Sequence, residues 1–333
     1  MPNGTHSCWA LHDGAAGHRR QVLALAHALS QDVHEWTLST SAPWSWLAPR
    51  RLPGSARAFG DAFLLSLNEP PALAIGCGRR AALATRLLGE RGARTVQLLD
   101  PRMAPTRWDI VVAPEHDGLR GANVITLCGS LHPVDDAWLQ AGRAAFASLG
   151  ELPSPRTVVL IGGPTKAVRF DRSAFEVMAS RLEHWLATSG GSLLVIGSRR
   201  TPPQLAQLAR AYWADTPGLR WFDDSDGANP YAGALAWADH IVVSPDSVNM
   251  VSEACATHAP VYVAEPGRAT GRVRLYLDDL LRRGRIRALG KHAEPFDVQP
   301  LRETARVANE VRQRLGPWQG RAFLPRIDAD EHG

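Results

Sequence analysis

The 333-residue sequence places polar runs rich in glycine, hydroxyl and charged side chains directly after apolar segments. The first such run is Asp13-Gly14-Ala15-Ala16-Gly17-His18, which follows the apolar residues Cys8 to Leu11. Its glycines let the backbone approach a ligand closely, although the spacing of the dinucleotide fingerprint is absent. Asp13 and His18 are candidate proton acceptors, provided that His18 reaches a substrate hydroxyl. The alternative for His18 is a capping or surface position in the first turn of a helix.

A second run, Ser244 to Ala256, follows the apolar residues His240 to Val243 and changes from the period of a strand to that of a helix. Asp246, Ser247 and Asn249 are residue types that cap helix N-termini. The first turn of such a helix presents N–H groups and a positive dipole end, so a phosphate is the expected occupant. Glu253 lies near enough to the same end to accept hydrogen bonds from the sugar of a bound nucleotide. An ordinary capped helix with a buried Ser/Asn network is the alternative.

Three further turns carry glycine and cationic side chains after apolar segments. They are Gly76-Cys77-Gly78-Arg79-Arg80, Gly162-Gly163-Pro164-Thr165-Lys166 and Gly197-Ser198-Arg199-Arg200-Thr201-Pro202. Arg79 and Arg80 oppose the dipole of the helix they begin, which suggests an anion that they bind. Arginine grips phosphate in a bidentate manner, so the turn with Ser198, Arg199, Arg200 and Thr201 suits phosphate capture. For both arginine pairs, a solvated surface pair is the alternative.

Asn229 and Tyr231 stand at the start of another helical pattern. Tyr231 is a candidate for stacking on a nucleotide base, and the alternative is that it fills a helix seam.

The elements that position these turns are predicted from the apolar periodicity. Six strand-like runs in the first half and five in the second alternate with helical patterns, which predicts an α/β fold with parallel sheets. The predicted strands are Cys8 to Leu11, Val33 to Leu38, Ala72 to Ile75, Thr95 to Leu99, Asp109 to Ala113, Asn123 to Leu127, Thr157 to Ile161, Ser192 to Ile196, Leu219 to Phe222, His240 to Val243 and Pro260 to Ala264. Since ligands bind at the carboxyl ends of parallel strands, the polar turns are expected to gather at that rim.

The chain length predicts two domains, and Pro153-Ser154-Pro155 is the strongest boundary signal. We therefore predict an N-terminal domain over residues 1–152 and a C-terminal domain over residues 153–333, which ends in an amphipathic helix from Leu301 to Leu315.

Composition narrows the class of protein. The net charge of +4, carried mostly by arginine, is too small and too dispersed to indicate nucleic-acid binding. The four cysteines lie far apart without a CxxC pair, so we expect buried free thiols in a reducing compartment. No apolar run reaches the length of a membrane span, and the N-terminus does not resemble a signal peptide, which favours a cytoplasmic protein. The stretches from Trp44 to Arg51 and from Phe59 to Leu67 leave peripheral contact with a membrane surface as an alternative, although such a stretch is more often a helix packed on its own domain.

These motifs together resemble the plant mitochondrial fission factor (elongated-mitochondria) family and its bacterial relatives. The resemblance is carried by residues 13–18, 76–80, 162–164, 197–202 and 246–254, and it covers residues 8 to 290. That family looks like the glycosyltransferase B architecture, in which two Rossmann-like domains face a central cleft that holds a nucleotide-sugar. It is distantly similar to the N-acetylglucosaminyl transferase that makes the lipid-linked peptidoglycan precursor.

The resemblance implies a role for each candidate residue. The loop with Gly14, Gly17 and His18 would face the acceptor, so the N-terminal domain would be the acceptor side. Ser247, Val248 and Asn249 would meet the donor diphosphate through their amides, and Glu253 would hold the ribose. The sequence departs from the family pattern where a double glycine is replaced by Pro245-Asp246, which places a carboxylate near the expected diphosphate.

The resulting hypothesis is a metal-independent glycosyltransferase that moves a sugar from a nucleoside diphosphate sugar, its donor substrate, to an acceptor hydroxyl, with no separate cofactor. His18 or Asp13 would take the acceptor proton, and Arg199 and Arg200 would neutralise the leaving diphosphate. His116 and Asp117 lack a second pair of ligands, which argues against a metal site. Two alternatives remain: a non-catalytic scaffold of the same fold that recruits a partner at a membrane, and a nucleotide-sugar epimerase.

Overall fold

The computed structural model describes residues 7–317, which form two compact units. Unit 1 contains the chain up to Leu127 and again from Glu303, whereas unit 2 is Cys128–Arg302. The predicted boundary at residues 152/153 and the predicted C-terminal helix therefore differ from this division. Residues 128–152 fold with unit 2 because a helix in this segment lies against the backbone near Ala232, where Gly142 leaves space for the contact.

Each unit contains one six-stranded sheet, and all of its strands are parallel. The strand order is β2-β1-β3-β4-β5-β6 in unit 1 and β12-β11-β10-β7-β8-β9 in unit 2. The strands are β1 (Cys8–His12), β2 (Val33–Thr37), β3 (Leu73–Cys77), β4 (Arg94–Leu98), β5 (Ile110–Pro114), β6 (Val124–Leu127), β7 (Arg156–Ile161), β8 (Ser192–Gly197), β9 (Gly218–Trp221), β10 (His240–Val243), β11 (Val261–Val263) and β12 (Ile286–Ala288).

Helices connect these strands as parallel pairing requires. They are α1 (Ala16–Leu29), α2 (Trp44–Leu47), α3 (Asp61–Ser66), α4 (Arg79–Glu90), α5 (Asp136–Ala145), α6 (Arg172–Ser189), α7 (Pro203–Tyr212), α8 (Tyr231–Trp237), α9 (Val248–Cys255), α10 (Gly271–Arg282) and α11 (Thr304–Leu315). Short 3-10 turns occur at Ser55–Arg57, Pro105–Arg107, Glu115–Asp117, Ala147–Glu151, Asp224–Asp226 and Pro266–Arg268. The prediction of two Rossmann-like domains is confirmed.

The central strands are buried along their whole length, which explains why they are continuous apolar runs without polar alternation. All eleven predicted strands are present, and β12 is an additional one. It was missed because Arg287 interrupts its three residues, of which only Ile286 is buried. Helix α10 was not predicted, since its five charged residues obscure the apolar face formed by Tyr276, Leu277 and Leu280.

Helix α11 belongs to unit 1, where Val307, Ala308, Val311 and Leu315 form its buried face. Arg312 donates to the carbonyl of Ala28 at the end of α1, a position where a cation also complements the helix dipole.

The four cysteines are buried and free, as predicted. Burial raises the pKa of Cys8 to about 12 and that of Cys255 to about 11, and it also raises the pKa of Cys77 well above its ordinary value. These thiols therefore stay protonated at neutral pH, and protonated thiols are poor nucleophiles.

We expect a disulfide reagent such as DTNB at pH 8 to react slowly with the native protein and with all four thiols after denaturation. Absorbance of the released thiolate measures this directly. Rapid, stoichiometric reaction of the native protein would contradict the burial of these side chains.

Among residues 7–317, no helix combines the length and the apolarity that crossing a membrane requires.

Candidate functional site

Both sheets contain a topological switch point, where successive connections leave in opposite directions from neighbouring strands. In unit 1 it lies between β1 and β3, and in unit 2 between β7 and β10. Ligands of open α/β sheets bind outside the carboxyl ends of the strands at such points, because the two loops diverge and leave a crevice. The predicted loops after β1, β7 and β10 are therefore at the expected positions within their own units.

In unit 1, the structure brings Asp13 and His18 together as a hydrogen-bonded pair. Oδ1 of Asp13 lies 2.8 Å from Nδ1 of His18 and also accepts from the Ala15 amide at 3.1 Å. Both side chains are partly exposed, His18 by 30% and Asp13 by 24%. We call these two residues the Asp13–His18 pair.

The electrostatics of this pair determine which imidazole nitrogen can accept a proton. Partial burial acts to raise the pKa of Asp13, but the hydrogen bonds from His18 and from the Ala15 amide outweigh it and lower that pKa. The carboxyl is therefore ionised and accepts the Nδ1 proton of His18. Nε2 is then the basic nitrogen, and among residues 7–317 it has no hydrogen-bond partner. An imidazole held in this way is suited to general-base catalysis.

Glycine residues in the neighbouring loops leave room for the side chains of the Asp13–His18 pair. Gly14 has a φ of +83°, a conformation that side-chain-bearing residues rarely adopt. A Cβ on Gly78, the residue after β3, would lie 2.8 Å from the imidazole of His18, so this position has to remain glycine. Gly17 is the second residue of α1 and lies directly before His18.

Arg79 and Arg80 are the first two residues of α4, as predicted. Arg79 donates to the carbonyl oxygens of Trp46 at 2.8 Å and of Ala48 at 2.7 Å, which ties the α2 segment to α4. These carbonyl oxygens give the Arg79 guanidinium acceptors within the chain, which accounts for a cation at this helix N-terminus. Arg80 makes no hydrogen bond or ion pair with the part of the chain that the structure describes.

In unit 2, the carboxylate of Asp246 joins the loops after β7, β8 and β10. It accepts hydrogen bonds from the Gly163 amide at 3.0 Å, from Ser244 Oγ at 2.6 Å and from Arg200 Nη2 at 2.7 Å. Ser244 Oγ in turn accepts from the Gly162 amide at 2.8 Å. We call these five residues the Asp246 network. The Asp246 side chain is fully buried, whereas that of Arg200 is 43% exposed.

The Asp246 network shows how the protein accommodates Asp246 at the position where the sequence departs from the family pattern. The carboxylate of Asp246 is directed into the loops and is neutralised by Arg200. A Cβ on Gly162 would lie 2.1 Å from Oδ2 of Asp246, and one on Gly163 would lie 1.9 Å from the carbonyl oxygen of Arg200. Gly162 is therefore needed to make room for the Asp246 carboxylate, and Gly163 to make room for the backbone of the turn after β8.

The turn after β8 is held by hydroxyl groups. Thr201 Oγ1 donates to the carbonyls of Ile161 and Gly162 at 2.7 and 2.8 Å, and it accepts from the Ser198 amide at 2.8 Å. Arg199 is exposed, and no hydrogen bond or ion pair connects it to any described residue. Ser198 and Thr201 thus shape the turn, and Arg199 remains available to an anion.

Helix α9 begins at the predicted place. Ser247 is its N-cap and accepts from the Met250 amide at 3.4 Å, while Val248 and Asn249 are its first two residues. Glu253 is 1% exposed, and its Oε2 accepts from the hydroxyl of Tyr231 at 2.5 Å. Asn229, which precedes the N-cap residue Pro230, accepts from the Tyr231 amide at 3.0 Å through its Oδ1.

Sequence reasoning missed His12, Glu35, Gly78 and Ser244 as parts of these sites. His12 is the last residue of β1, and Glu35 lies 23 positions further along in β2, so only the pairing of these strands brings them together. Ser244 directly follows β10, and its place at a strand end was the available signal. No three His, Cys, Asp or Glu side chains cluster as metal ligands among residues 7–317.

Comparison with known proteins identifies relatives along nearly the whole chain. The model of the family described as Mitochondrial fission ELM1 matches residues 16–315. Mitochondrial fission protein ELM1 of Arabidopsis thaliana is 30% identical over 278 residues, which are 74% of this chain and 65% of that protein. The chain thus spans just under two thirds of that relative's length.

Solved structures resemble the fold at low sequence identity. MnaA of S. aureus, determined with UDP, superposes with a TM-score of 0.52 at 11% identity, over 94% of this chain and 98% of that one. UDP-GlcNAc 2-epimerase of Methanocaldococcus jannaschii gives a TM-score of 0.51 at 13% identity, over 92% and 99% of the two chains. These similarities establish the architecture, and the match along residues 16–315 establishes the lineage: the chain belongs to the Mitochondrial fission ELM1 family.

Proposed function

We propose that the protein is a metal-independent glycosyltransferase that moves a sugar from a nucleoside diphosphate sugar to an acceptor hydroxyl. The observation that carries the proposal is the Asp13–His18 pair at the switch point of unit 1, with Nε2 of His18 available as a base. The fold shared with a UDP-bound protein and a UDP-sugar epimerase supports the class of donor.

In the proposed reaction, Nε2 of His18 removes the proton of the acceptor hydroxyl as the acceptor oxygen bonds to the anomeric carbon of the sugar. The bond from that carbon to the diphosphate oxygen breaks, and the diphosphate leaves with the electron pair. Asp13 stabilises the imidazolium that forms, as an ionised partner at 2.8 Å can.

Unit 2 is the proposed donor side. The first turn of α9, which begins with Val248 and Asn249, directs backbone N–H groups and the positive end of its dipole outward. Arg199 adds a cation that no described residue neutralises. The helix N-terminus and Arg199 would provide positive charge for the leaving diphosphate without a bound metal.

The test is a thermal-shift screen of the purified protein against nucleoside diphosphates and their sugars, followed by product analysis with candidate acceptors. A ligand that binds only the folded state raises the melting temperature. Arg199→Ala is the test variant, since no described residue forms a hydrogen bond or ion pair with Arg199. Its loss should remove the ligand shift while leaving the basal melting temperature unchanged. Absence of any shift at millimolar ligand would refute the proposal. Turnover of the donor without an acceptor would show that the reaction is epimerisation or hydrolysis rather than transfer.

A Glu253→Ala variant is expected to weaken nucleotide binding by about 1–3 kcal/mol if Glu253 accepts a hydrogen bond from the ribose. Calorimetric titration with the nucleoside diphosphate measures this change.

Tyr231→Phe is its control, because it keeps the ring and removes only the hydroxyl group that donates to Glu253. If Glu253 binds ribose, Tyr231→Phe should leave the affinity within a few-fold of normal. Equal losses in both variants would indicate that the Tyr231–Glu253 bond matters only for the fold.

A non-catalytic partner-binding function is the second candidate. It is favoured because two predicted ligand-binding residues already have partners within the protein. Arg200 is paired with Asp246, and Glu253 accepts a hydrogen bond from Tyr231. The exposed Trp46 and Leu65 in unit 1, at 75% and 69% exposure, are apolar side chains that a membrane or protein partner would cover. Binding of liposomes or of a partner by a protein that ignores every nucleotide would support this function.

A further inference from the structure

His12 is an almost completely buried ionisable side chain at the switch point of unit 1. It ends β1, lies between β2 and β3 in the sheet, and is 1% exposed. Both of its ring nitrogens are hydrogen-bonded, Nδ1 to the Gly14 amide at 3.0 Å and Nε2 to Glu35 Oε1 at 2.9 Å. The mechanism proposed above does not use this side chain.

These contacts determine the protonation state of His12. A backbone amide can only donate, so Nδ1 must carry the lone pair that accepts from Gly14. The proton of the neutral ring is then on Nε2, where it is donated to Glu35. Arg19 holds the Glu35 carboxylate through both oxygens at 2.6 and 2.8 Å, and the hydrogen bond from Arg19 lowers the pKa of Glu35, so this acceptor stays ionised.

The contacts form a closed ring that starts and ends on α1. Arg19 of α1 binds Glu35, Glu35 binds His12, and His12 binds the Gly14 amide. Gly14 adjoins Asp13, whose carboxylate accepts from Ala15 and pairs with His18, the neighbour of Arg19 on α1. The hydrogen bond from its amide holds Gly14 at a φ of +83°, a conformation that glycine adopts without strain.

We propose that His12 is a positioning residue for the Asp13–His18 pair: through the Gly14 amide it sets the loop so that Asp13 fixes the Nδ1–H tautomer of His18, while Glu35 and Arg19 hold His12 itself. The inference rests on the proposed function for the catalytic meaning of this tautomer, but the tautomer itself can be measured without any turnover.

Two conservative substitutions separate the two contacts of His12. The amide oxygen of asparagine falls near the position of Nδ1, so His12→Asn retains an acceptor for Gly14 and loses the contact with Glu35. His12→Gln places its amide near Nε2, so it retains a donor to Glu35 and loses the acceptor for Gly14. Both side chains are uncharged and smaller than histidine, so we expect the two substitutions to have similar effects on the free energy of unfolding.

The experiment is long-range ¹H–¹⁵N NMR of the protein labelled with ¹⁵N-histidine, with His18 assigned from the spectrum of His18→Asn. We expect a single Nδ1–H tautomer for His18 in the unaltered protein and in His12→Asn, and a mixture of the two neutral tautomers in His12→Gln. An unchanged His18 spectrum in folded His12→Gln would overturn the proposal, as would equal perturbation by both variants.

Glu35→Ala provides a second route if the His12 variants do not fold, because Glu35 lies in the edge strand β2 and its side chain is 32% exposed. It should release His12 from its Nε2–H tautomer and broaden the His18 signals. Unaltered His12 and His18 tautomers in this variant would count against the ring of contacts.

Where transfer activity is measured, His12→Gln should lower kcat by about tenfold to a hundredfold, the effect of misplacing a base, with little change in the KM for the donor. His12→Asn should recover most of that loss. If no donor is turned over but the His18 tautomer responds as expected, the proposed function fails and the positioning role stands.

Discussion

A His18→Ala variant is expected to transfer sugar about 10²–10⁴ times more slowly than the unaltered protein, which is the range for loss of a general base. The expectation follows from the Asp13–His18 pair, in which the carboxylate binds Nδ1–H and leaves Nε2 to accept the proton of the acceptor hydroxyl. Initial rates of product formation at saturating donor measure this effect. Transfer that persists at the normal rate would assign the base to another residue.

Asp13→Asn is the companion variant, since its amide can still accept from Nδ1–H but carries no charge to stabilise the imidazolium. We expect a smaller loss of kcat than in His18→Ala. Donor affinity should be unchanged in both variants because the proposed donor residues belong to unit 2. A parallel loss of donor affinity would mean that these substitutions act through the fold.

The largest expected effect on stability is that of Asp246→Ala, which should lower the free energy of unfolding by about 2–4 kcal/mol. The substitution removes the acceptor of three hydrogen bonds and leaves the buried Gly163 amide and Ser244 hydroxyl without it. Arg200 is 43% exposed and can be solvated, which limits the cost of losing its partner. For a domain of this size, the melting temperature of unit 2 should fall by roughly 5–15 °C, as calorimetry would show.

Gly162→Ala tests the geometry of the same network. The added methyl would lie 2.1 Å from Oδ2 of Asp246, so the single variant should be strongly destabilised. In an Asp246→Ala background the carboxylate is gone and the methyl has space, so the two substitutions should cost less together than the sum of their separate effects. A coupling energy of about 1–3 kcal/mol is expected. Strict additivity would show that the carboxylate does not occupy this position in solution.

Much of the fold was predictable because buried parallel strands are continuous apolar runs, and both sheets consist largely of them. The element bounds were less accurate where charged residues dominate, as at α10 and β12. The domain division differed for a topological reason: Pro153-Ser154-Pro155 leads into β7, and the unit starts earlier, at Cys128. A proline-rich segment marks a break in secondary structure, which need not be a break between compact units.

The candidate sites were predictable only to the level of the loop. The sequence identified Asp13 and His18 as candidate proton acceptors, one after a strand and the other in the first turn of a helix, but it did not predict that they form a hydrogen bond. The partner of His12 was not predictable, because Glu35 comes from a neighbouring strand. The direction of the Asp246 side chain was also beyond the sequence, since it depends on how three loops from different strands converge.

Helix α11 belongs to unit 1 but is translated after the whole of unit 2. Unit 1 is assembled from the start of the described chain and from residues after Glu303, so unit 2 is inserted between its two parts. Domains can fold during translation as their residues leave the ribosome, so unit 2 can complete its core first. Helix α1 remains without its packing partner α11 until that helix has been translated. During that interval unit 1 exposes the apolar surface that Val307 and Val311 later cover, until α11 has been synthesised and packs against it.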